Sequence, residues 1–296
     1  MTDELTYCLA LHGVPGMGPV TMRRLIEHFG SAERLAREAT EARLREVGPL
    51  PAAVPRHVLK LKERVPQAEA LRAVLAKALI QMARICDPEY PALLRELTNA
   101  PPVIFIYGAL RPADAQAVAI VGTTTPSPRG RALAHGFAVR LARLGCTIVS
   151  GYAHGIDSAA HRGALAAGGR TIFVIPQGVL RFRPRWGYPP AVELAARGAV
   201  ISEMPPEAPW SVLAAVMRNR LIAALARTVI VIETRPRGGA LHAVNAARQL
   251  GRPIFAVRYS EPPPAARGNE LIFGLGGTPL TRYADVDLVL QAMGCR

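Results

Sequence analysis

Three glycine-containing turns in the second half of the chain carry residue types suited to binding phosphate groups. Each follows a short apolar run and precedes a stretch with helical character. Glycine lets a ligand approach the backbone closely, and the amide N–H groups at a helix start attract anions. One such turn is a weak indication, but three at one sheet edge are more specific. The turns contribute the candidates Gly122, Thr123, Thr124 and Thr125, then Gly151, His154 and Gly155, and finally Gly238 and Gly239.

Arginines accompany these turns. Arg129 follows the first turn, and Arg218, Asn219 and Arg220 interrupt an otherwise apolar helical stretch. Polar residues in such a helix are costly to bury, so we expect these three to face a ligand or an interface. A mixture of cations and rings suits a groove for single-stranded nucleic acid, although an ordinary loop with partly buried rings is equally compatible. Such a run places Arg181, Arg183 and Arg185 among Phe182, Trp186 and Tyr188.

The charge of the chain favours a polyanionic partner. Of the formal net charge of +14, residues 1–100 contribute +2 and residues 101–296 contribute +12. All 22 basic residues of the second part are arginines, which bind phosphate oxygens in a bidentate way and stack on bases. A GC-rich genome would explain the choice of arginine, but not the excess over acids.

The candidate catalytic side chains do not form a recognisable constellation. His154 and His161 are seven residues apart without a third ligand type nearby, and we expect His161 to bond a neighbouring loop from within a helix. Glu203 and Glu233 at strand ends are the candidate acids, and neither has an evident partner. The four cysteines are scattered, which argues against a zinc site and against disulfides. We therefore predict no catalytic residue, no metal and no cofactor.

An alternation of strands and helices must position these residues. Short apolar runs predict strands at 117–121, 147–150, 171–176, 199–202, 229–233 and 254–257, and the runs between them predict helices at 129–144, 156–167, 212–226 and 240–250. Asp157 is expected to cap the second of these helices. The pattern predicts a doubly wound, mostly parallel, Rossmann-like α/β sheet with helices on both faces. In such sheets ligands bind beyond the carboxyl ends of the strands, where the turns would lie.

The N-terminal region is predicted to be a small all-α domain of the helix-hairpin-helix or SAM-like type. A helix ending at Gly13 is followed by a glycine-rich turn and a second helix over about residues 20–28. This hairpin could contact a DNA backbone through its amides or could serve packing alone, and both interpretations stay open. Residues 40–85 are expected to be helical. The expected domains are 1–85 for the helical part, 86–110 for a linker with an entry strand, and 111–296 for the Rossmann-like part.

The sequence shows no sign of a membrane span or a secretory signal. No run approaches eighteen consecutive apolar residues, and the start carries two acids instead of a basic region. Together with the scattered cysteines, this predicts a cytoplasmic protein without a membrane partner.

Taken together, the segments resemble the DNA-processing protein A (DprA/Smf) family. They match in order over nearly the whole chain, most specifically in GIDSAAHRGAL at 155–165 and RNRLIAALA at 218–226. The resemblance implies a homodimer that binds single-stranded DNA and helps to load a RecA-type recombinase. By the same resemblance the binding pocket contains Thr123, Thr124, Gly151, Gly155, Arg218, Asn219 and Gly239, with Arg129 and Arg220 as neighbours.

The chain departs from the family pattern at three pocket positions. Thr124 and His154 stand where the family usually has arginine, and Ala215 stands where it has a base-stacking phenylalanine. Loss of that stack is expected to weaken DNA binding by about 1–3 kcal/mol. Many members also carry a C-terminal winged-helix domain, whereas this sequence ends at Arg296. We therefore expect a divergent member that lacks this domain.

Three functional hypotheses remain open. The leading one is a non-enzymatic single-stranded DNA-binding protein that assists recombinase loading in natural transformation or recombinational repair. The alternative is a protein that binds or hydrolyses a nucleotide-like small molecule on the same scaffold, similar to phosphoribohydrolases of the lysine-decarboxylase-like group. Those proteins have a glutamate after their glycine-rich turn, and the turn at Gly238 lacks it. The third hypothesis is an interaction adaptor whose pocket has decayed.

Overall fold

Six helices precede the first strand in the part of the chain that the structure describes. The structure is a computed structural model that describes residues 3–185 and 187–294, so Trp186 and Arg296 lie outside it. Polar side chains start several of the helices, since Asp3, Ser31 and Thr40 each accept a hydrogen bond from a backbone N–H of the helix that follows. The helices are α1 (Glu4–His12), α2 (Pro19–Phe29), α3 (Ala32–Glu38), α4 (Glu41–Glu46), α5 (Val54–Val58) and α6 (Val65–Lys77).

One sheet of nine strands follows within the described residues. Its strands are β1 (Ile80–Arg84), β2 (Val103–Gly108), β3 (Ala117–Val121), β4 (Thr147–Gly151), β5 (Thr171–Val174), β6 (Gly198–Ser202), β7 (Thr228–Val231), β8 (Ile254–Val257) and β9 (Thr278–Leu280). The spatial order is β1-β2-β6-β5-β4-β3-β7-β8-β9. The β1–β2 and β2–β6 pairs are antiparallel and the others are parallel.

Helices cover both faces of the sheet. They are α7 (Ala92–Arg95), α8 (Pro128–Arg143), α9 (Ile156–Ala166), α10 (Ala191–Ala196), α11 (Val212–Ala224), α12 (Ala240–Gln249), α13 (Asn269–Gly274) and α14 (Val286–Ala292). One face packs on α7, α11, α12 and α13, and the other packs on α8, α9 and α14. The central strands are buried on both faces, which explains why they are short runs of alanine and β-branched residues without alternation. The predicted doubly wound α/β fold with a helical N-terminal part is confirmed.

The first edge strand of the sheet lies where the sequence predicts a helix. Residues 80–84 were expected to be helical, but they form β1, which pairs with β2. Leu79 has a φ of 56° and reverses the chain after α6. The strand is only five residues long and buries mainly one face, so its sequence carries too little periodicity to separate it from the preceding helix. The domain boundaries at residues 85 and 110 stay a prediction.

The N-terminal helices and the sheet share a hydrophobic core. Val103 and Phe105 of β2 are fully buried in one cluster with the apolar side chains of the N-terminal helices. The ring of Phe105 meets His12 edge-on, with ring centroids 5.4 Å apart. The helical part is therefore packed on the antiparallel edge of the sheet. Within the described residues, none of the helices combines the length and the apolar character that a membrane crossing requires.

Replacing Phe105 by alanine is expected to lower the free energy of unfolding by about 3–5 kcal/mol, because a buried ring is lost where the helices meet the sheet. Urea unfolding followed by circular dichroism measures this change. Leu144→Ala is the control, since that side chain is 55% exposed and its removal should change stability by about 0.5 kcal/mol or less. If the two variants were equally stable, this shared core would not contribute to folding as the packing indicates.

Candidate nucleic-acid interface

The connections of the sheet diverge between β3 and β7, which are parallel neighbours. The chain continues from β3 to β4, β5 and β6 on one side, whereas β8 and β9 follow β7 on the other. The helices that follow β3 and β7, α8 and α12, pack on opposite faces. Their loops therefore separate and leave a crevice, which is where doubly wound sheets bind ligands. The loops begin joined, because the Thr123 N–H donates to the carbonyl oxygen of Glu233 over 2.8 Å.

Two cavities meet at this crevice. The switch-point cavity, of about 430 Å³, is lined by α11 and by the loops after β3 and β7. The arginine cavity, of about 560 Å³, is lined by the loops after β4, β5 and β6. Both are lined by Thr124, Ala153, Trp210, Ala215 and Arg218. Because they share these walls, we treat them as one continuous groove.

Exposed arginines line both ends of this groove. They are Arg181, Arg183 and Arg185 in the arginine cavity, and Arg235 and Arg237 in the switch-point cavity. Arg235 also donates to the Thr125 hydroxyl over 3.1 Å. Among the described residues of the two walls, Asp157 is the one acid, and it is only 7% exposed. The accessible part of the groove therefore carries positive charge.

A buried cation lies where the two cavities join. Arg218 on α11 is 5% exposed and donates to the carbonyl oxygen of Val174 over 2.6 Å, while its Nε atom has no hydrogen-bond partner among the described residues. Burial lowers the pKa of its guanidinium, and the charge of Asp157 opposes this. Burial likewise raises the pKa of Asp157 to about 6, although Arg218 favours the ionised form. The two groups are therefore a mutually compensating buried pair.

Glycines make room for this pair and for the loops. A Cβ atom on Gly151 would lie 1.8 Å from Nη1 of Arg218 and 2.4 Å from a carboxylate oxygen of Asp157. Gly155 has a φ of +88°, and a Cβ there would lie 2.5 Å from the carbonyl oxygen of Thr123. Both positions thus require glycine. Gly155 is also the N-cap of α9 without a side-chain cap, so the expectation that Asp157 caps this helix was wrong.

The helix start after β3 is occupied by the protein's own carboxylate. Glu233 is fully buried, and it accepts hydrogen bonds from the Ser127 N–H over 2.8 Å and from the Tyr259 hydroxyl over 3.0 Å. Ser127 is the N-cap of α8. A negative group at this end already meets the positive helix dipole. We had expected a bound phosphate at this helix start, and Glu233 holds that place instead.

Two predicted site residues do not reach the groove. The guanidinium of Arg129 lies over the ring of Tyr259, 5.2 Å from its centroid. Arg220 forms a bidentate ion pair with Glu203, at 2.9 and 2.6 Å, in a largely buried position. Arg220 is therefore engaged by the protein itself, and a direct contact with a ligand is not favoured for it, whereas Arg129 is exposed but lines neither cavity.

The other predicted site residues gather at the groove. Gly151 and Gly155 lie directly beneath it, as described above, and the Asn219 amide donates to the carbonyl oxygen of Gly239 over 3.1 Å. The remaining predicted residues line one or both cavities: Gly122, Thr123, Thr124, Thr125, His154, Arg218, Gly238 and Gly239. Their role in binding stays a prediction.

The rings of the arginine-rich loop anchor the loop. Phe182 is 4% exposed, and the Tyr188 hydroxyl donates to the carbonyl oxygen of Ser158 over 3.2 Å. Both rings pack with Tyr152 and Phe173 in one aromatic cluster. Of the two interpretations left open for this run, the contacts of Phe182 and Tyr188 favour an ordinary loop with buried rings, and Trp186 lies outside the described residues.

The two candidate histidines have structural contacts. Burial lowers the pKa of His161 to about 3, so its Nε2 atom, 2.7 Å from the carbonyl oxygen of Gly151, donates as a neutral ring. The ring therefore contacts the end of β4 and the start of β5, where a bond to a neighbouring loop was expected. The Nδ1 atom of His154 lies 3.2 Å from the carbonyl oxygen of Thr124 and links two loops of the groove. No group of three metal-ligating side chains occurs within residues 3–185 and 187–294.

The N-terminal hairpin makes packing contacts. Arg23 of α2 donates to the carbonyl oxygens of Thr98 and Ala100, over 3.1 and 2.9 Å. The Nε2 atom of His12 lies 2.9 Å from the carbonyl oxygen of Glu203, and burial lowers the pKa of this histidine to about 4. Of the two interpretations left open for the hairpin, these contacts favour the packing role.

Comparison with known proteins shows the family to which this chain belongs. Residues 81–288 match the family described as DNA recombination-mediator protein A. The chain belongs to this family. It is 32% identical to Protein Smf of Synechocystis over 94% of this chain and 74% of that one, and 31% identical to the DNA processing protein DprA of Bacillus subtilis over 77% of each. The structure of DprA from Streptococcus pneumoniae superimposes with a TM-score of 0.75 at 29% identity and covers 97% of both chains.

A second family structure, DprA of Helicobacter pylori, is described as having a unique mode of binding single-stranded DNA. It matches with a TM-score of 0.62 at 24% identity over 72% of this chain and 95% of that chain. At this identity the likeness shows the shared fold. The three positions at which the sequence resemblance implies a departure from the family pattern, Thr124, His154 and Ala215, all line the arginine cavity. That they depart from the family pattern stays a prediction.

Two features of this DprA-family groove escaped the sequence analysis. Trp210 lines both cavities, yet nothing in its sequence context, a proline-rich segment before a helix, shows that its ring stays exposed. Asn269 is 2% exposed and holds the ends of β7 and β8 through bonds with the backbone of Thr234, Ile232 and Val257. Its neighbours in the sequence, Arg267, Gly268 and Glu270, give no sign that this side chain is buried.

The buried pair predicts a pH dependence of stability. Because the pKa of Asp157 is about 6 in the folded protein and near 3.8 in the unfolded chain, the folded state binds this proton more tightly. The stabilisation from this group is present below about pH 4 and is lost as the pH rises through about 6. The difference in stability between the Asp157→Asn variant and the native protein should therefore shift in favour of the variant by on the order of 3 kcal/mol as the pH rises from about 4 to about 7, whatever constant cost the lost charge beside Arg218 brings. Urea unfolding across this pH range measures the difference.

The exposed Asp287 provides the matched control as Asp287→Asn. A constant stability difference between native protein and Asp157→Asn at every pH would contradict the burial of an ionisable pair.

Proposed function

We propose that this chain binds single-stranded DNA in the groove, chiefly through its phosphates and with little dependence on base sequence. The observation that carries the proposal is the set of five exposed arginines along two adjoining cavities, with buried Arg218 where they meet. Arginine binds phosphate oxygens in a bidentate way and stays charged at every physiological pH. Phosphate contacts release counterions, so affinity should depend strongly on salt.

The family assignment supports the same conclusion. The relatives from Bacillus subtilis and Streptococcus pneumoniae are named DNA processing proteins, and the Helicobacter pylori relative is described as binding single-stranded DNA. The groove of this chain lies at the carboxyl edge of the same fold, where doubly wound sheets bind ligands.

The proposal includes that the protein acts by binding and not by catalysis, without a metal or other cofactor. The two candidate acids are both engaged: Glu233 by Ser127 and Tyr259, and Glu203 by Arg220. A general base must reach the proton that it abstracts, and both carboxylates are largely buried in their own contacts. These observations favour binding over hydrolysis of a nucleotide-like substrate.

We further propose that the protein works in the cytoplasm as a homodimer that assists a RecA-type recombinase, in natural transformation or recombinational repair. Light scattering of the purified protein should give the mass of two chains. The protein should also shorten the lag of recombinase assembly on a single strand. A monomer, or an unchanged lag at saturating protein, would contradict this part of the proposal.

Binding should be measured by fluorescence anisotropy with an oligo-dT of about 30 nucleotides across a salt series. Arg237→Ala removes one exposed cation of the groove. It should weaken binding about fivefold at ~0.1 M salt and lower the slope of log K against log salt by about 0.7, because one phosphate contact is lost.

Arg143→Ala is the matched control, since Arg143 is an exposed arginine at the other end of α8, away from the groove. Equal losses in both variants would mean that net charge alone drives binding and would count against the groove. Absence of any binding at low salt would refute the proposed function, and the next step would be a screen of nucleotides for thermal stabilisation.

A further inference from the structure

Trp210 occupies an unusual position for a tryptophan. It is 59% exposed, although tryptophan is highly buried on average. It lines both cavities of the groove. A single exposed apolar side chain needs no explanation at an ordinary surface. Here the ring stands between two sets of arginines, along the path that a bound polyanion would follow.

The backbone around Trp210 is fixed even though its ring is exposed. The preceding residues form a turn in which the Ala208 N–H donates to the carbonyl oxygen of Pro205 over 2.8 Å, and the Gly178 N–H donates to the carbonyl oxygen of Ala208 over 2.9 Å. The residue that follows, Ser211, caps α11 by accepting from the Ala214 N–H over 3.1 Å. The backbone that carries the indole is thus held in position before a ligand arrives, which reduces the entropy lost on binding.

Among the described residues of the groove walls, the other rings are the imidazole of His154, whose Nδ1 atom lies 3.2 Å from the carbonyl oxygen of Thr124, and the phenol of Tyr152. Its hydroxyl donates to the carbonyl oxygen of Arg183 over 2.8 Å, and its ring packs edge-on against Phe182 and Phe173. Tyr152 is therefore committed to the cluster that anchors the arginine-rich loop. Of the larger rings in the groove walls, Trp210 is the one whose surface remains open to a ligand.

A polar group in the wall of the same cavity also lacks a hydrogen-bond partner in the part of the chain that the structure describes. Gln177 lines the arginine cavity together with Trp210, and its buried Oε1 atom has no hydrogen-bond partner among the described residues. An amide can form hydrogen bonds with the edges of bases. The cavity thus offers a ring face and an amide, in addition to the cations for the backbone.

We propose that the indole of Trp210 is the stacking platform for an unpaired nucleobase, while the arginines of the two cavities hold the phosphates on either side of it. This inference rests on the single-stranded DNA binding proposed above. Stacking on an aromatic ring tolerates every base and requires that the base be unpaired. Trp210 would therefore supply the preference for a single strand over a duplex, which the arginines alone cannot supply.

The test compares Trp210→Ala, Trp210→Phe and Leu213→Ala with the native protein. Leu213 is a matched control, since it is 69% exposed, lies close to Trp210 in the chain, and lines a different cavity beside the N-terminal hairpin. Each protein is titrated with the oligo-dT, with the same strand carrying abasic sites throughout, and with a duplex, across a salt series. Thermal melts confirm folding of each variant.

Trp210→Ala is expected to weaken binding of the oligo-dT about five- to hundredfold without changing the salt slope, because a stack is lost and no phosphate contact is lost. Trp210→Phe should recover most of the affinity, and Leu213→Ala should bind like the native protein. The abasic strand should bind native protein and Trp210→Ala equally, since it offers no base to stack. In a Trp186→Phe background Trp210 is the sole tryptophan, and its fluorescence should be quenched by the oligo-dT and not by the abasic strand.

The outcomes separate this inference from the proposed function. If the native protein binds the oligo-dT in a salt-dependent way and Trp210→Ala binds equally well, the stacking role is refuted and the arginine-lined groove stands. A salt slope that falls together with the affinity of Trp210→Ala would also refute it, because the loss would then lie in phosphate contacts. If the native protein binds no single strand, the proposed function fails and this inference fails with it.

Discussion

The buried pair of Arg218 and Asp157 constrains where the neighbouring strands end and where α9 begins. A guanidinium that is 5% exposed is costly unless an opposite charge and an acceptor lie beside it. Asp157 at the start of α9 and the carbonyl oxygen at the end of β5 meet this need. Gly151 at the end of β4 leaves the space that the guanidinium fills. The ends of β4 and β5 and the start of α9 therefore have to lie close together, and together they form the floor of the groove.

The acids of the sheet edge are used internally, and this leaves the groove positive. Glu233 neutralises the start of α8, Glu203 pairs with Arg220, and Asp157 compensates Arg218. Each carboxylate is held within the protein, so none of the three presents a free negative charge at the surface of the groove. The exposed arginines consequently act on a ligand without an exposed acid among the described residues of the groove walls, which strengthens their attraction for phosphate.

The fold could be predicted from sequence more completely than the site. Strands such as β3 and β8 were predicted to the residue, because a strand that is buried on both faces has an uninterrupted run of apolar residues. The strands β1 and β9 at the edges of the sheet were missed, since they are only partly buried and their sequences, IQMAR and TPL, lack an uninterrupted apolar run. Within the site, the glycines were predicted because backbone approach leaves a local signal. The directions of the Arg129 and Arg220 side chains left no such signal in the sequence. They depend on contacts with residues distant in the chain, Tyr259 for Arg129 and Glu203 for Arg220.

Charge and ring surface have separate consequences in such a groove. Arginines attract any polyanion, and a duplex carries more phosphate charge per unit length than a single strand. Electrostatics alone would thus favour a duplex, or at best not discriminate against it. Discrimination needs a contact that a paired base cannot make, and a ring face is one, because the faces of paired bases are covered by their neighbours in the stack. An exposed indole between the two arginine-lined cavities is therefore the element that would convert general attraction into preference for a single strand.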